Sequence, residues 1–181
     1  MSRVQIISSD LADKHHYDHL KGGSAASLRR LEGAGLLTSK TLNQSGALPT
    51  KTYQFANESI AKAYGGRLPV TGAKRTDLHE LMTTRAFYAL ERPADFRLAA
   101  DLTKTEIARC GSLRPDAVYT DPVSGEMVMV EADSGNYRQH QIQKKIATWR
   151  AAGNTRQVWA QPAYGVCAAV PRLPGINVMR L

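Results

Sequence analysis

The stretch Pro115-Asp116-Ala117-Val118-Tyr119-Thr120-Asp121-Pro122-Val123-Ser124-Gly125-Glu126-Met127-Val128-Met129-Val130-Glu131-Ala132-Asp133 decides how the chain is read. Two runs of strand-like composition flank a turn made by Asp121-Pro122 and Ser124-Gly125. That pattern predicts a tight antiparallel hairpin. Asp116 opens one strand and Glu131 closes the other, so pairing brings both carboxylates to one end of a sheet. Two acidic oxygen ligands on rigid strands suit a hard divalent cation, Mg²⁺ or Mn²⁺. Such a cation can hold a scissile phosphate and activate water. The plainer reading is a hairpin whose ends happen to be acidic, since Asp is a common turn residue. Glu131, however, directly follows the apolar run Met127 to Val130, and a carboxylate buried there is expensive without a partner.

Working outward, Leu78, Leu81, Met82, Arg85, Tyr88 and Ala89 recur at helical spacing before the hairpin. Asp95 to Ala100 reads as a strand. After the hairpin, Tyr137 to Ala152 reads as a helix with Ile142, Ile146 and Trp149 on one face. Gln157 to Ala160, Val166 to Val170 and Ile176 to Met179 follow as further strands. The order of helix, three strands, helix and strand predicts an α/β (α+β) layered domain with a mixed sheet. His79 and His140 read as packing or surface residues.

The N-terminal part has a different character. Of the 181 residues, the first 75 hold 11 Lys/Arg against 5 Asp/Glu, and most of the net charge of +8 lies there. Such an excess points to a polyanion-binding module. Asp13 to Leu20 reads as a short helix, Lys21-Gly22-Gly23 as a turn, and Ser24 as the N-cap of a second helix over Ala25 to Gly35. Leu36 to Thr38 and Lys51 to Phe55 read as strands around a polar loop, Ser39 to Thr50. Together these predict a winged helix-turn-helix. Ser27, Arg29 and Arg30 would face the major groove of double-stranded DNA, and Lys40 and Lys51 of the wing would touch phosphates. The alternative is a winged fold used for protein contacts, with the arginines on a solvated face. His15, His16 and His19 read as surface residues. A Gly/Pro/basic stretch, Tyr64 to Arg75, suits a linker between units 1–70 and 76–181.

Hydrophobic content is 43% and charged content 22%, with a sequence pI near 9.7. No apolar run is long enough to span a membrane, and the N-terminus lacks the apolar core of a secretion signal. Cys110 and Cys167 lack metal-ligand spacing. A reduced, cytoplasmic protein is the expectation.

The element order, with its two acids, resembles the core of the PD-(D/E)xK restriction-endonuclease-like superfamily. Pro115-Asp116 and Glu131 match its motif, whereas Asp133 stands where a lysine is usual. The lost cation matters because it stabilises hydroxide and phosphate charge. Some members supply it from the next helix, where Lys144 and Lys145 are the candidates. At about 100° per residue, Lys145 falls about 40° from Trp149 and about 60° from Ile142, at the edge of the buried face. Lys144 points about 160° from Ile142, into solvent. Arg138 is a second possible cation, two turns earlier.

A closer resemblance rests on Pro115, Asp116, Ala117, Glu131, Asp133, Gly135, Lys145 and Trp149, and on His79 ahead of the apolar helix Leu81 to Leu90. These resemble the replication-relaxation family, plasmid and mobile-element proteins with an N-terminal winged helix, allied to a class of mobilisation relaxases. Trp149 stands where that family usually has tyrosine. The resemblance implies a DNA-binding protein acting in mobilisation, replication or conjugative transfer, by metal-dependent nicking or relaxation. Asp116, Glu131 and Lys145 would then be catalytic, and Asp116, Glu131 and Asp133 would hold Mg²⁺ or Mn²⁺, unless Asp133 bonds the backbone at Ser134-Gly135. The alternatives are a non-catalytic DNA-binding accessory protein or transcriptional regulator on a degenerate nuclease scaffold, or a module contacting other mobilisation or transfer proteins. A homodimer on a palindromic site is also compatible. Lys145 or Arg138 as a purely structural ion-pair partner of Glu131 is the competing physical account.

Overall fold

The computed structural model describes residues 5–43, 49–69 and 77–181. Their architecture is mixed α+β, with six α-helices and two sheets among those residues. The chain runs through β1 (Ile7–Ser8), α1 (Ser9–His16), α2 (Ala25–Gly33), β2 (Leu37–Leu42), β3 (Thr50–Phe55) and α3 (Glu58–Ala63). The first sheet is antiparallel in the order β1-β3-β2, with Leu37 opposite Phe55 and Leu42 opposite Thr50. There follow α4 (Asp77–Ala89), β4 (Arg97–Leu98), a 3-10 turn at Ala99–Asp101, α5 (Lys104–Arg109), β5 (Ala117–Thr120), β6 (Met127–Ala132), α6 (Gln139–Ala151), β7 (Gln157–Gln161) and β8 (Ile176–Arg180). The second sheet has the order β4-β5-β6-β7-β8; its first three strands are antiparallel and β7 and β8 run parallel to β6.

The hairpin forms as its composition predicts. Ala117 faces Val130 and Thr120 faces Met127. The Asp121 carboxylate accepts from the N–H groups of Val123 (2.8 Å) and Ser124 (3.2 Å), and Gly125 takes a φ of +70° to close the turn. Strand alternation then sorts the side chains. Val128, Val130 and Ala132 join the cluster built on α4, while Met129 joins the one built on α6, with Ile142, Ile146, Trp149 and Trp159. The second sheet is therefore covered on both faces, which explains why β6 is apolar apart from Glu131.

Helix α4 is wrapped on nearly every side. Eight of its thirteen residues are buried, including Thr83 and Thr84, whose hydroxyls donate to the carbonyls of His79 and Glu80 one turn back. Such burial requires apolar neighbours all round. Ile6 and Leu11 of the N-terminal part share one core with Leu81, Met82, Ala86, Phe87 and Tyr88, and that core continues to Phe96, Val128 and Val158. Polar contacts reinforce the junction: Lys40 bonds Asp77, Arg85 lies 3.8 Å from Asp10, and Arg67 pairs with Asp101 at 2.7 Å. The two sheets thus come from separate stretches of chain, while the core runs through both by way of α4.

Several expected elements shift. The first helix spans Ser9–His16 rather than Asp13 to Leu20, because Leu11 and Ala12 are the residues it buries. Residues 17–24 form the turn, where the Asp13 carboxylate accepts from the Ser24 N–H. A Cβ at Gly23 would stand 2.7 Å from that carboxylate, and its φ of +61° suits glycine alone. Ser24 occupies the N-cap position without a side-chain cap bond. His15 stacks on Tyr88 with ring centres 4.4 Å apart, and His16 bonds the Tyr88 hydroxyl, so these two form a contact with α4 rather than a bare surface. The strand expected over Asp95 to Ala100 contracts to Arg97–Leu98, and Val166 to Val170 is not a strand. Helix α5 was not expected, although Thr103 and Glu106 form a reciprocal capping box that marks its start. Residues 44–48 of the expected polar loop and 70–75 of the expected linker lie outside the described residues. No helix among the described residues is long and apolar enough to cross a membrane.

Candidate active site

The β5–β6 ladder reaches one step beyond its assigned strands, for the Asp116 N–H donates to the Val130 carbonyl at 3.0 Å. That bond, with the one from the Ala132 N–H to Asp116 Oδ2, sets Asp116 against the end of β6 that carries Glu131. Both carboxylates are buried, Glu131 wholly so. Glu131 lies on the face covered by α6, whose Lys145 arches over the sheet end and donates to Glu131 Oε1. The Tyr137 hydroxyl donates to the same oxygen. Glu131 Oε2 has no hydrogen-bond partner among the described residues. Asp116 Oδ2 accepts from the Ala132 N–H at 2.9 Å, and its Oδ1 lies 2.9 Å from His79 Nε2, which projects from the first turn of α4.

These partners split the two acids. Burial would raise the Asp116 carboxyl, but the hydrogen bond and charge of His79, with help from Lys145 and the Ala132 N–H, outweigh it and hold it well below the ordinary aspartate range. Glu131 goes the other way, pushed up to about 7 by burial and by the charge of Asp116, with Lys145 and Tyr137 pulling against this. Burial and the Glu131 carboxylate drive the Tyr137 phenol far above its usual value. A pair of acids held so far apart in proton affinity is a feature of functional sites, though ion-pair networks produce it too.

The structure therefore brings together Asp116, Glu131 and Lys145 of the expected set. Lys144 is exposed, and Arg138 stands exposed at the start of α6. Asp133 is engaged elsewhere: Oδ1 accepts from the Gly135 N–H at 2.8 Å and Oδ2 from the Gln161 amide at 2.8 Å. Of the two roles open to it, bonding the backbone of its own turn is the one observed. No group of three or more His, Cys, Asp or Glu side chains among the described residues is arranged to hold a metal ion. As donors, Asp116 and Glu131 still fit a hard cation that keeps most of its waters, since such ions are often held by one or two carboxylates.

No protein-family model, curated protein or solved structure matches this chain.

Two residues of the site were given no role in it from sequence, although His79 is among those that carry the family resemblance. His79 read as a packing or surface residue, and nothing in its local pattern places it beside Asp116, 37 positions away. Tyr137 read only as the start of a helix. A buried strand-end glutamate needs partners, and a tyrosine in the following loop was the available signal.

On the N-terminal unit, Arg29 and Arg30 are exposed on α2, with Ser27 half-exposed beside them. The Arg29 Nε donates to the Ala25 carbonyl at 3.2 Å. Lys40 pairs with Asp77, and Lys51 lies 3.3 Å from Glu32 and 5.1 Å from the centre of the Tyr53 ring. Lys40 and Lys51 thus carry carboxylate partners, whereas the α2 arginines present their heads to solvent.

Proposed function

We propose that this chain binds double-stranded DNA through an N-terminal winged helix-turn-helix and acts on it through a PD-(D/E)xK endonuclease-like unit. Its setting would be the mobilisation, replication or conjugative transfer of a cytoplasmic plasmid or other mobile element. The observation that carries the reading is the meeting of Asp116, Glu131 and Lys145 at one end of a mixed sheet. That sheet is built in the order helix, three strands, helix, two strands once the short α5 and the 3-10 turn are set aside.

The order β1-α1-α2-β2-β3, with its three-stranded sheet, supports the winged reading. Helix α2 would enter the major groove with Arg29 and Arg30, as the second helix of such motifs does. Lys40 and Lys51 would exchange a carboxylate for a phosphate, at small cost for exposed pairs.

At the sheet end, Asp116 and Glu131 would hold Mg²⁺ or Mn²⁺. When bound, the cation supplies a Lewis acid for the phosphoryl oxygens and lowers the proton affinity of a bound water. The rest falls to the chain. Asp116 is kept ionised by His79 and the Ala132 N–H, so it offers a full negative charge at neutral pH. Lys145 stands where a cation can offset the charge gathering on the phosphate, in place of the absent motif lysine.

The test is a supercoiled plasmid incubated with Mg²⁺ or Mn²⁺. Relaxation by the wild type and its loss in Asp116→Ala are the expected results, and a wild type without activity removes the nicking part. One observation favours a second reading, a non-catalytic DNA-binding accessory protein or regulator. Lys145, Tyr137, His79 and the Ala132 N–H already compensate both acids, a network that serves the fold without a metal. Steep salt dependence in gel shifts with no relaxation would select it.

A further inference from the structure

Lys145 is held by more than the carboxylate it neutralises. Its ammonium lies 5.3 Å from the centre of the Tyr137 ring, 5.4 Å from the Trp149 ring and 3.5 Å from the Arg114 carbonyl oxygen. A cation over an aromatic face is attracted by the ring's quadrupole, more strongly where water is excluded. Only 15% of the Lys145 side chain is exposed. Tyr137 is itself fixed at both ends. Its ring meets Trp159 edge-on, with centres 6.1 Å apart at 74°, and its hydroxyl donates to Glu131 Oε1. It stands in the loop between β6 and α6, where the lysine crosses from helix to strand.

We propose that Tyr137 is a positioning residue: it sets where the Lys145 ammonium stands and keeps it there when the charge of Glu131 is neutralised or shared. The division of Glu131 supports this. Oε1 carries both donors while Oε2 has no partner among the described residues, so that carboxylate can be engaged at Oε2 with Tyr137 and Lys145 in place. A role for the held lysine at a scissile phosphate rests on the endonuclease reading above. Its placement by Tyr137 does not.

The experiment is reductive methylation of the full chain, read lysine by lysine by mass spectrometry, with exposed Lys144 as internal reference. Glu131→Gln raises Lys145 modification by less than about threefold, because the aromatic faces remain. Tyr137→Leu raises it at least about tenfold with Lys144 unchanged, and Tyr137→Phe, which keeps the ring, stays within about threefold of wild type. The proposal is overturned if Glu131→Gln exposes Lys145 as fully as Tyr137→Leu does, or if the leucine variant leaves it protected. Should Tyr137→Leu unfold, seen as all lysines rising together, the double variant Glu131→Gln/Tyr137→Phe decides: retained protection supports the proposal and lost protection overturns it. On plasmid substrate, Tyr137→Leu lowers the nicking rate at least about tenfold at unchanged DNA affinity and phenylalanine restores it. A wild type that does not nick sinks the endonuclease reading while the methylation result still decides the placement of Lys145.

Discussion

Arg29 and Arg30 stand in solvent on α2, whereas Lys145 reaches a carboxylate with no exposed surface. Both regions are polar and both are candidate contacts for a polyanion, yet their charges are bound to the fold in opposite degrees. At the sheet end every charge has a named partner, supplied by a different element: His79 by α4, Ala132 by β6, Tyr137 by a loop and Lys145 by α6. On α2 only Leu28 is buried, and both arginines are exposed, Arg29 donating only to the Ala25 carbonyl of its own helix among the described residues. Buried charge is thus committed to the fold first, and exposed charge is free to serve a ligand at little cost in stability.

The sharpest way to break that contrast is Lys145→Met. It leaves Glu131 buried without its cation and is expected to cost about 3–5 kcal/mol, read by urea unfolding at pH 7.5. Adding Glu131→Gln should recover most of this, and a double-mutant cycle showing simple additivity would contradict the pairing. His79→Ala comes next, at about 1–3 kcal/mol, because one Asp116 oxygen loses its charged partner.

The pH dependence sharpens the comparison further. A carboxyl whose folded-state pKa is raised to about 7 stabilises the protein fully below its ordinary value near 4.5 and loses that contribution as pH rises through 7. Stability should therefore decline between pH 5 and pH 7.5, on the order of 1–3 kcal/mol, with the slope removed by Glu131→Gln. Asp116, held low, acts in the opposite sense and in a separate window, its contribution fading only as pH falls below about 4. An unchanged slope in Glu131→Gln would mean that Glu131 is not the group responsible.

The smallest expected effect lies on the other side of the comparison. Arg30→Ala should alter stability by less than about 0.5 kcal/mol. It should nevertheless weaken DNA binding and lower the salt slope in gel shifts by about one. A melting shift comparable to that of His79→Ala would erase the distinction between the two regions.

Much of this was legible in the chain. The turn chemistry of Asp121 to Gly125 and the period-2 alternation fix the hairpin, and with it the meeting of Asp116 and Glu131 at one end of the sheet. Helical periodicity puts Lys145, and not Lys144, at the edge of the buried face of α6. Other features were legible and overlooked, such as the Thr103–Glu106 box that opens α5. Val166 to Val170 is an apolar run that could pass for a strand, but the sheet already ends on β8 and Pro171 and Pro174 follow closely.

By itself the sequence determined which residues alternate, where the chain turns and which lysine leans toward a sheet, because those depend on neighbours a few positions away. Only the tertiary structure decided that His79 stands against Asp116, that Tyr137 caps Glu131, and that α4 is buried between two parts of the chain. These contacts join residues far apart along the backbone. Which of them form is set by how whole elements pack to bury apolar surface, a condition no local pattern encodes.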